Sequence, residues 1–246
     1  MKSGDPSLAG LAFPLNVYAL ALSLEEGHAD WLHYGLDWTS GPIGAAQKRA
    51  SDYLLAKLPA SPRSVLEVGI GFGMLARQLR DLGYSYRGIS PDIEQVNLAR
   101  ARHPDLDFQC TALQALMQQA QYDVLVFQES AQYIEAGEIL RVGRQVLKIG
   151  GCVVIADELP LAVVRSVTAL PRETGFVVAE MDDVTDRASG SLDYLIETLF
   201  RHRVQILKVS SLPSHRLSGL LNVLEQRRLE YRNGAYRYAY VRLDRI

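Results

Sequence analysis

Cysteine is scarce: Cys110 and Cys152 are the only two in 246 residues. A disulfide-stapled scaffold needs more cysteines at closer spacing, so both are expected to be buried thiols in a reducing compartment. An excess of one charge is also lacking. Lys and Arg total 26 against 28 Asp and Glu, a net charge of −2. No basic patch is visible, which argues against a nucleic-acid partner. The late arginines Arg227, Arg228, Arg232, Arg237, Arg242 and Arg245 are interrupted by Glu230 and Asp244 and preceded by Glu225, so they read as a solvated face. No apolar window reaches the length of a membrane span. The first six residues are polar, and the next apolar stretch is broken by Pro14, Asn16 and Glu25. No signal segment and no membrane partner are therefore expected, and the expected location is cytoplasmic. Spacings such as His-x-x-x-His or Cys-x-x-Cys are missing, so no metal is expected. Repeats and low-complexity linkers are missing too.

What is present is ordinary globular material, 48% hydrophobic and 22% charged. That composition and length suit one α/β domain with a helical elaboration. Residues 1–60 read as helical and aromatic-rich, with helices over 15–24 and 45–58 and a loop at 39–42. Residues 63–158 alternate strands and helices. Strands are predicted at 64–68, 86–89, 106–110, 122–127 and 152–156, and helices at 74–82, 93–102 and 136–147. That alternation predicts a doubly wound parallel sheet with helices on both faces. Further on, a strand at 176–181 and helices at 192–209 and 217–229 precede a tight turn at Asn233-Gly234 and a last strand at 236–243, expected antiparallel to its neighbour.

Between the first strand and the first helix stands Glu67-Val68-Gly69-Ile70-Gly71-Phe72-Gly73. A glycine turn at a parallel sheet's carboxyl edge makes a ligand crevice. Its spacing differs from the G-x-G-x-x-G of dinucleotide enzymes, and the preceding acid would repel a pyrophosphate. A nicotinamide-dependent dehydrogenase is thus disfavoured. This set closely resembles the first motif of class I S-adenosylmethionine-dependent methyltransferases, small-molecule branch. Residues 88–100 resemble that family's second-strand motif, Gly-(Val/Ile)-Asp-x-Ser-x-x-x-Leu-x-x-Ala. Residues 108–112, 122–134 and 147–158 resemble its third, fourth and fifth motifs, and Trp31-Leu32-His33-Tyr34-Gly35 its His-Tyr-Gly element. The segment 175–185 resembles an element of small-molecule members.

The resemblance implies a Rossmann-like methyltransferase fold: an α/β protein with a mostly parallel seven-stranded sheet, helices on both faces and an N-terminal helical cap. The cap would cover 1–60 and the main domain 61–246, with an acceptor lid at about 160–232. The implied cofactor is S-adenosyl-L-methionine, with S-adenosyl-L-homocysteine as product. Its methionine end would meet Glu67, Gly69, Gly71, Gly73 and Tyr34. Its ribose would meet Ser90 and Pro91, and its adenine Thr111 and Ala112, with Gln128 close by. Most members carry acids at the places of Ser90 and Thr111. Asp92 is expected to cap the following helix. Glu129 is the candidate base or acceptor-orienting group; a helix cap is the alternative. His33 is a second candidate base, or a packed residue. Tyr133, Asp157 and Glu158 would line the acceptor pocket, although the two acids can equally be structural. The expected reaction is methyl transfer to O, N or C of a small molecule by a monomer or homodimer. The loss of two acids leaves a second reading: a cofactor-binding cyclase, rearrangement enzyme or degenerate binding protein of the same fold.

Overall fold

The computed structural model describes residues 6–117, 119–170 and 172–246; the polar opening 1–5, part of the expected cap and of the reading that no signal segment is present, lies outside the described residues. The chain divides into two units. One, largely helical, holds the residues up to 50 together with 186–235; the other holds 51–185 and 236–246 and contains the sheet. The strands are β1 (Ser64–Val68), β2 (Ser85–Ser90), β3 (Phe108–Cys110), β4 (Tyr122–Gln128), β5 (Leu147–Pro160), β6 (Phe176–Asp183) and β7 (Tyr236–Arg245). The helices are α1 (Leu15–Glu26), α2 (Gly44–Leu55), α3 (Met74–Asp81), α4 (Ile93–Arg102), α5 (Ala136–Val146), α6 (Leu161–Thr168), α7 (Thr185–Ser210) and α8 (Ser214–Asn233). None of the described helices is long and apolar enough to cross a membrane.

The seven strands form one sheet in the order β3-β2-β1-β4-β5-β7-β6. β1 to β5 pair in parallel, whereas β7 is antiparallel to both β5 and β6. Central strands covered on both faces read as continuous apolar runs, which is why β1 and β4 were legible. Right-handed crossovers put α3 and α4 on one face and α5 on the other, since the chain leaves β1 and β4 in opposite directions. Ile139, Val142 and Val146 of α5 pack with Leu66, Leu125, Phe127, Val153 and Val241 in the main apolar core.

Several boundaries differ from expectation. β5 begins at Leu147 rather than at residue 152, because Leu147 pairs with Tyr122 across a register irregularity. α7 starts at Thr185, seven residues early, under a run of polar residues that hides the helical period; the Asp183 carboxylate accepts the Thr185 N–H at 3.0 Å. α6 was not anticipated. The aromatic segment between α1 and α2 is loop, not helix. Cys152 is buried as expected, but Cys110 is exposed. The reason is positional: Cys110 ends β3, the outermost strand.

In the helical unit, α1 buries residues almost all round. The loop after it is tied to α7. The Gly35 N–H donates to Ser191 Oγ at 2.9 Å, and that hydroxyl donates back to the Gly35 carbonyl at 2.8 Å. Asp37 pairs with Arg187 at 2.7 Å.

The sheet also buries a charge-bearing side chain. Glu67 on β1 is 2% exposed, and its Oε2 accepts the phenol of Tyr86 on β2 at 2.6 Å. Burial pushes the Glu67 carboxyl up to about 7, with the Tyr86 hydrogen bond opposing. Such a carboxyl binds a proton more tightly folded than unfolded. Its contribution to stability is complete below the unfolded value near 4.5 and is lost as pH rises through about 7. Denaturation across that window should show stability falling by up to roughly 1.4 kcal/mol per pH unit. That figure is the share of Glu67 alone, and Glu67→Gln should reduce the fall by that share, since Asp157 is also pushed up to about 7 by burial. A variant with the wild-type slope would assign it to another group.

Candidate functional site

An open sheet of this kind takes ligands beyond its carboxyl edge, where strand order reverses. Here the reversal lies between β1 and β4, and the loops leaving those strands touch. Ser130 Oγ donates to the Val68 carbonyl. Gly69 has φ +80°, and a Cβ there would lie 2.3 Å from Ser130 Cβ. Gly73, at φ +83°, is crowded in its own way: a Cβ would lie 2.7 Å from His103 Cδ2 and 2.9 Å from Phe108 Cζ. Both glycines are bare because protein presses against them. Gly71 differs. Its φ is +50°, and a Cβ there would meet nothing within 4 Å. The turn presents open main chain at that residue, which fits a ligand lying directly on the backbone.

Glu67 stands on β1 just before this turn, with its carboxylate engaged by Tyr86. At the ends of β2 and β3, Ser90 is 3% exposed. Its Oγ accepts the Asp92 N–H at 3.1 Å, and its carbonyl accepts the Thr111 N–H at 3.0 Å. Ser90, Pro91, Thr111 and Ala112 are thereby gathered at one edge. Asp92 caps α4 as expected: its Oδ1 accepts the N–H groups of Glu94 at 2.9 Å and Gln95 at 3.3 Å. Its carboxylate is therefore occupied.

β4 ends in Gln128, whose amide donates to Ser51 Oγ at 2.9 Å. Glu129 follows in a left-handed conformation, φ +53°. A non-glycine residue there is uncommon and carries strain, on the order of 1 kcal/mol. Its N–H donates to the Ala156 carbonyl at 2.8 Å. Its Oε1 accepts the phenol of Tyr238 at 2.7 Å. Glu129 is not a helix cap: Ser130 precedes the short turn Ala131–Tyr133, and Glu135 precedes α5. Tyr238 is 0% exposed. Burial, then the charge of Glu129, pushes its phenol well above the ordinary range, so it stays a donor. Sequence reasoning missed Tyr238. The available signal was the spacing of Tyr236, Tyr238 and Tyr240, three tyrosines on one face of a strand.

Asp157 is 0% exposed. Its carboxylate accepts the N–H of Gln132 at 3.0 Å and of Glu158 at 2.7 Å. Burial pushes it up to about 7 against those hydrogen bonds. It thus holds the turn carrying Tyr133. Neighbours on a strand face opposite ways, so Asp157 and Glu158 do not present one common surface. Tyr133 is 65% exposed and lies within the field of Glu129, Asp157 and Glu158.

The structure places His33 and Tyr34 in the helical unit. His33 is 7% exposed, with Nδ1 at 2.7 Å from the Tyr34 carbonyl and an edge contact to Trp31. Burial pushes its pKa down to about 4. So weak a base is poorly matched to proton abstraction at neutral pH. The expected base role gives way to the packed one.

Residues 66–155 match the family model of a methyltransferase domain. Comparison with curated proteins gives no match. Among solved structures, the chain is similar to a provisionally assigned sarcosine dimethylglycine methyltransferase from Galdieria sulphuraria, with TM-score 0.76 and 14% identity over 93% of this chain and 98% of that one. It is similar to the cyclase SpnF, with TM-score 0.72 and 20% identity over 92% and 91%. It is also similar to a cyclopropane synthase from Mycobacterium tuberculosis, with TM-score 0.74 and 13% identity over 98% and 94%. At these identities the structural likenesses establish the fold. The family match covers the stretch from β1 into β5, with the glycine turn at its start, so it is this stretch of the chain that is similar to a methyltransferase domain.

Proposed function

We propose that the protein methylates an O, N or C atom of a small-molecule acceptor, with the cofactor lying against the 69–73 turn. The observation that carries this reading is Gly71, left-handed and open where its two companion glycines are closed by protein. When bound, S-adenosylmethionine supplies a methyl group already activated on a sulfonium. The protein's tasks are then alignment, exclusion of water and removal of an acceptor proton. Glu129 is the proposed acceptor-side group. Its carboxylate takes the proton that the acceptor loses as the new bond forms. Tyr238 fixes the direction of that carboxylate, and Asp157 supports the turn carrying Tyr133.

The cofactor reading is tested by calorimetry with S-adenosylhomocysteine. Gly71→Val should lose binding by about a hundredfold or more, because the branched side chain fills the space of the ligand and costs further backbone strain. Circular dichroism would confirm folding, and Gly71→Ala supplies a milder variant. Wild-type affinity in a folded Gly71→Val protein would end this reading.

The acceptor role is tested by release of S-adenosylhomocysteine from S-adenosylmethionine with a panel of amines, phenols and carboxylates. Glu129→Gln should reduce turnover about 10²-fold, the scale of losing a general base, with cofactor affinity nearly unchanged. Near-wild-type turnover would remove Glu129 from the mechanism. A wild-type protein that binds S-adenosylhomocysteine yet methylates none of the panel would favour the cyclase-like alternative, which the neutral Ser90 and Thr111 already suggest.

A further inference from the structure

The chain from Thr198 to Leu224 carries Arg201, Arg203, Lys208 and Arg216 and no Asp or Glu, in a protein whose net charge is −2. The stretch lies within the helical unit and runs from the later half of α7 into α8. Its α7 part is also apolar on the outside. Phe200 is 46% exposed and Val204 68%, and Leu207 is half-buried. Residues three and four apart share a helix face, so these three form one stripe. About 100° of turn per residue puts Arg203 on one flank of that stripe and Arg201 and Lys208 on the other. Leu195, Leu199 and Ile206 are buried behind it, which fixes the stripe as the outer side of an anchored helix. Arg201 pairs with Glu25 of α1. Arg203 and Lys208 are exposed, and no ion pair holds either among the described residues. The acid that bounds this face is Glu197, one turn earlier.

We propose that this face of α7 docks on an anionic lipid surface. Two features call for one partner: large apolar side chains left in water, and cations on both sides of them. A leaflet with anionic headgroups supplies both complements at one depth. Phosphates meet Arg203 and Lys208, while Phe200 and Val204 enter the boundary between headgroups and acyl chains. A nucleic acid would match the cations and leave the apolar stripe in water. A second copy seated across a twofold axis would bring two cationic faces together, and like charges facing each other disfavour that pairing. Such a helix lies on the membrane and does not cross it. The expectation of no membrane partner rested on span length, a requirement that does not apply to an interfacial helix.

The test is sedimentation of the full chain with vesicles of phosphatidylcholine, alone or mixed with phosphatidylglycerol. The wild type should pellet with the mixed vesicles, stay largely in solution with the neutral ones, and lose binding as salt rises. The double variant Arg203→Glu, Lys208→Glu should lower the partition coefficient about 25-fold or more, at about fivefold for each cation removed. Phe200→Ser should lower it about tenfold, from the apolar area withdrawn from the lipid. Both sites are exposed, so circular dichroism should report wild-type helix content, and Val204→Ser supplies a second apolar variant. A wild-type protein that stays in solution with the mixed vesicles overturns the inference. So does equal binding to the neutral vesicles, or binding that the double variant leaves unchanged. Binding untouched by Phe200→Ser and Val204→Ser overturns it too, as adsorption by charge alone. A dimer in light scattering that Phe200→Ser dissociates would give the face to a second copy. Retention on immobilised polyglutamate without binding to vesicles would give it to an acidic protein, and either result overturns the lipid assignment.

Discussion

The hydroxyl of Ser130 reaches the carbonyl of Val68 across the point where the strand order reverses, and the crevice geometry hangs on that contact. Val68 and Phe127 are register partners on adjacent parallel strands. The loops that leave them start side by side and must then diverge. Ser130 closes the gap only because Gly69 has no side chain. Any larger residue at Gly69 would push the β4 loop away and release Glu129 from its place. The left-handed backbone of Glu129 is one part of this arrangement: its N–H is held by Ala156 on β5 while its neighbour Ser130 is held by β1. Strain at one residue is sustained by hydrogen bonds on both sides of it.

The antiparallel strand β7 has a consequence for the same edge. A parallel strand would bring its last residues to the carboxyl end of the sheet. β7 brings its first ones, and Tyr238 pairs in register with Glu158 near the end of β5. A phenol from the last ten residues of the chain thereby meets a carboxylate at position 129. Because Tyr238 is fully buried, its hydroxyl has little freedom to turn elsewhere. Buried phenols keep their proton, so the hydrogen bond runs in one direction, from tyrosine to glutamate.

How much of this could be read from the sequence follows from the range of the interactions. The five parallel strands and the glycine turn are local patterns, apolar runs and bare backbone, and they were legible at nearly the right positions. The Asp92 cap was legible for the same reason, since its partners Glu94 and Gln95 are within three residues. What was not legible depends on distant chain. No local rule separates Gly71 from Gly69 and Gly73; the separation is made by Ser130, His103 and Phe108. The sequence offered His33 as a base, and only its burial shows it to be neutral. Asp157 and Glu158 read as a pair, yet the pleat of β5 sends them to opposite faces.

The distribution of acids along the carboxyl edge has a chemical sense. Glu67 and Asp157 are fully buried, and burial pushes both carboxyls up to about 7. Each is anchored by hydrogen bonds to its own surroundings, Tyr86 in one case and backbone N–H groups in the other. Their charges are thus hidden or neutralised in part. At the end of β2 the Asp92 carboxylate stands beside Ser90, but it is held by the N–H groups of Glu94 and Gln95 at the start of α4. Glu129 is held by the phenol of Tyr238 at the end of β4. On the proposed reading a cationic methyl donor is drawn to this carboxylate rather than to the one already tied to helix main chain.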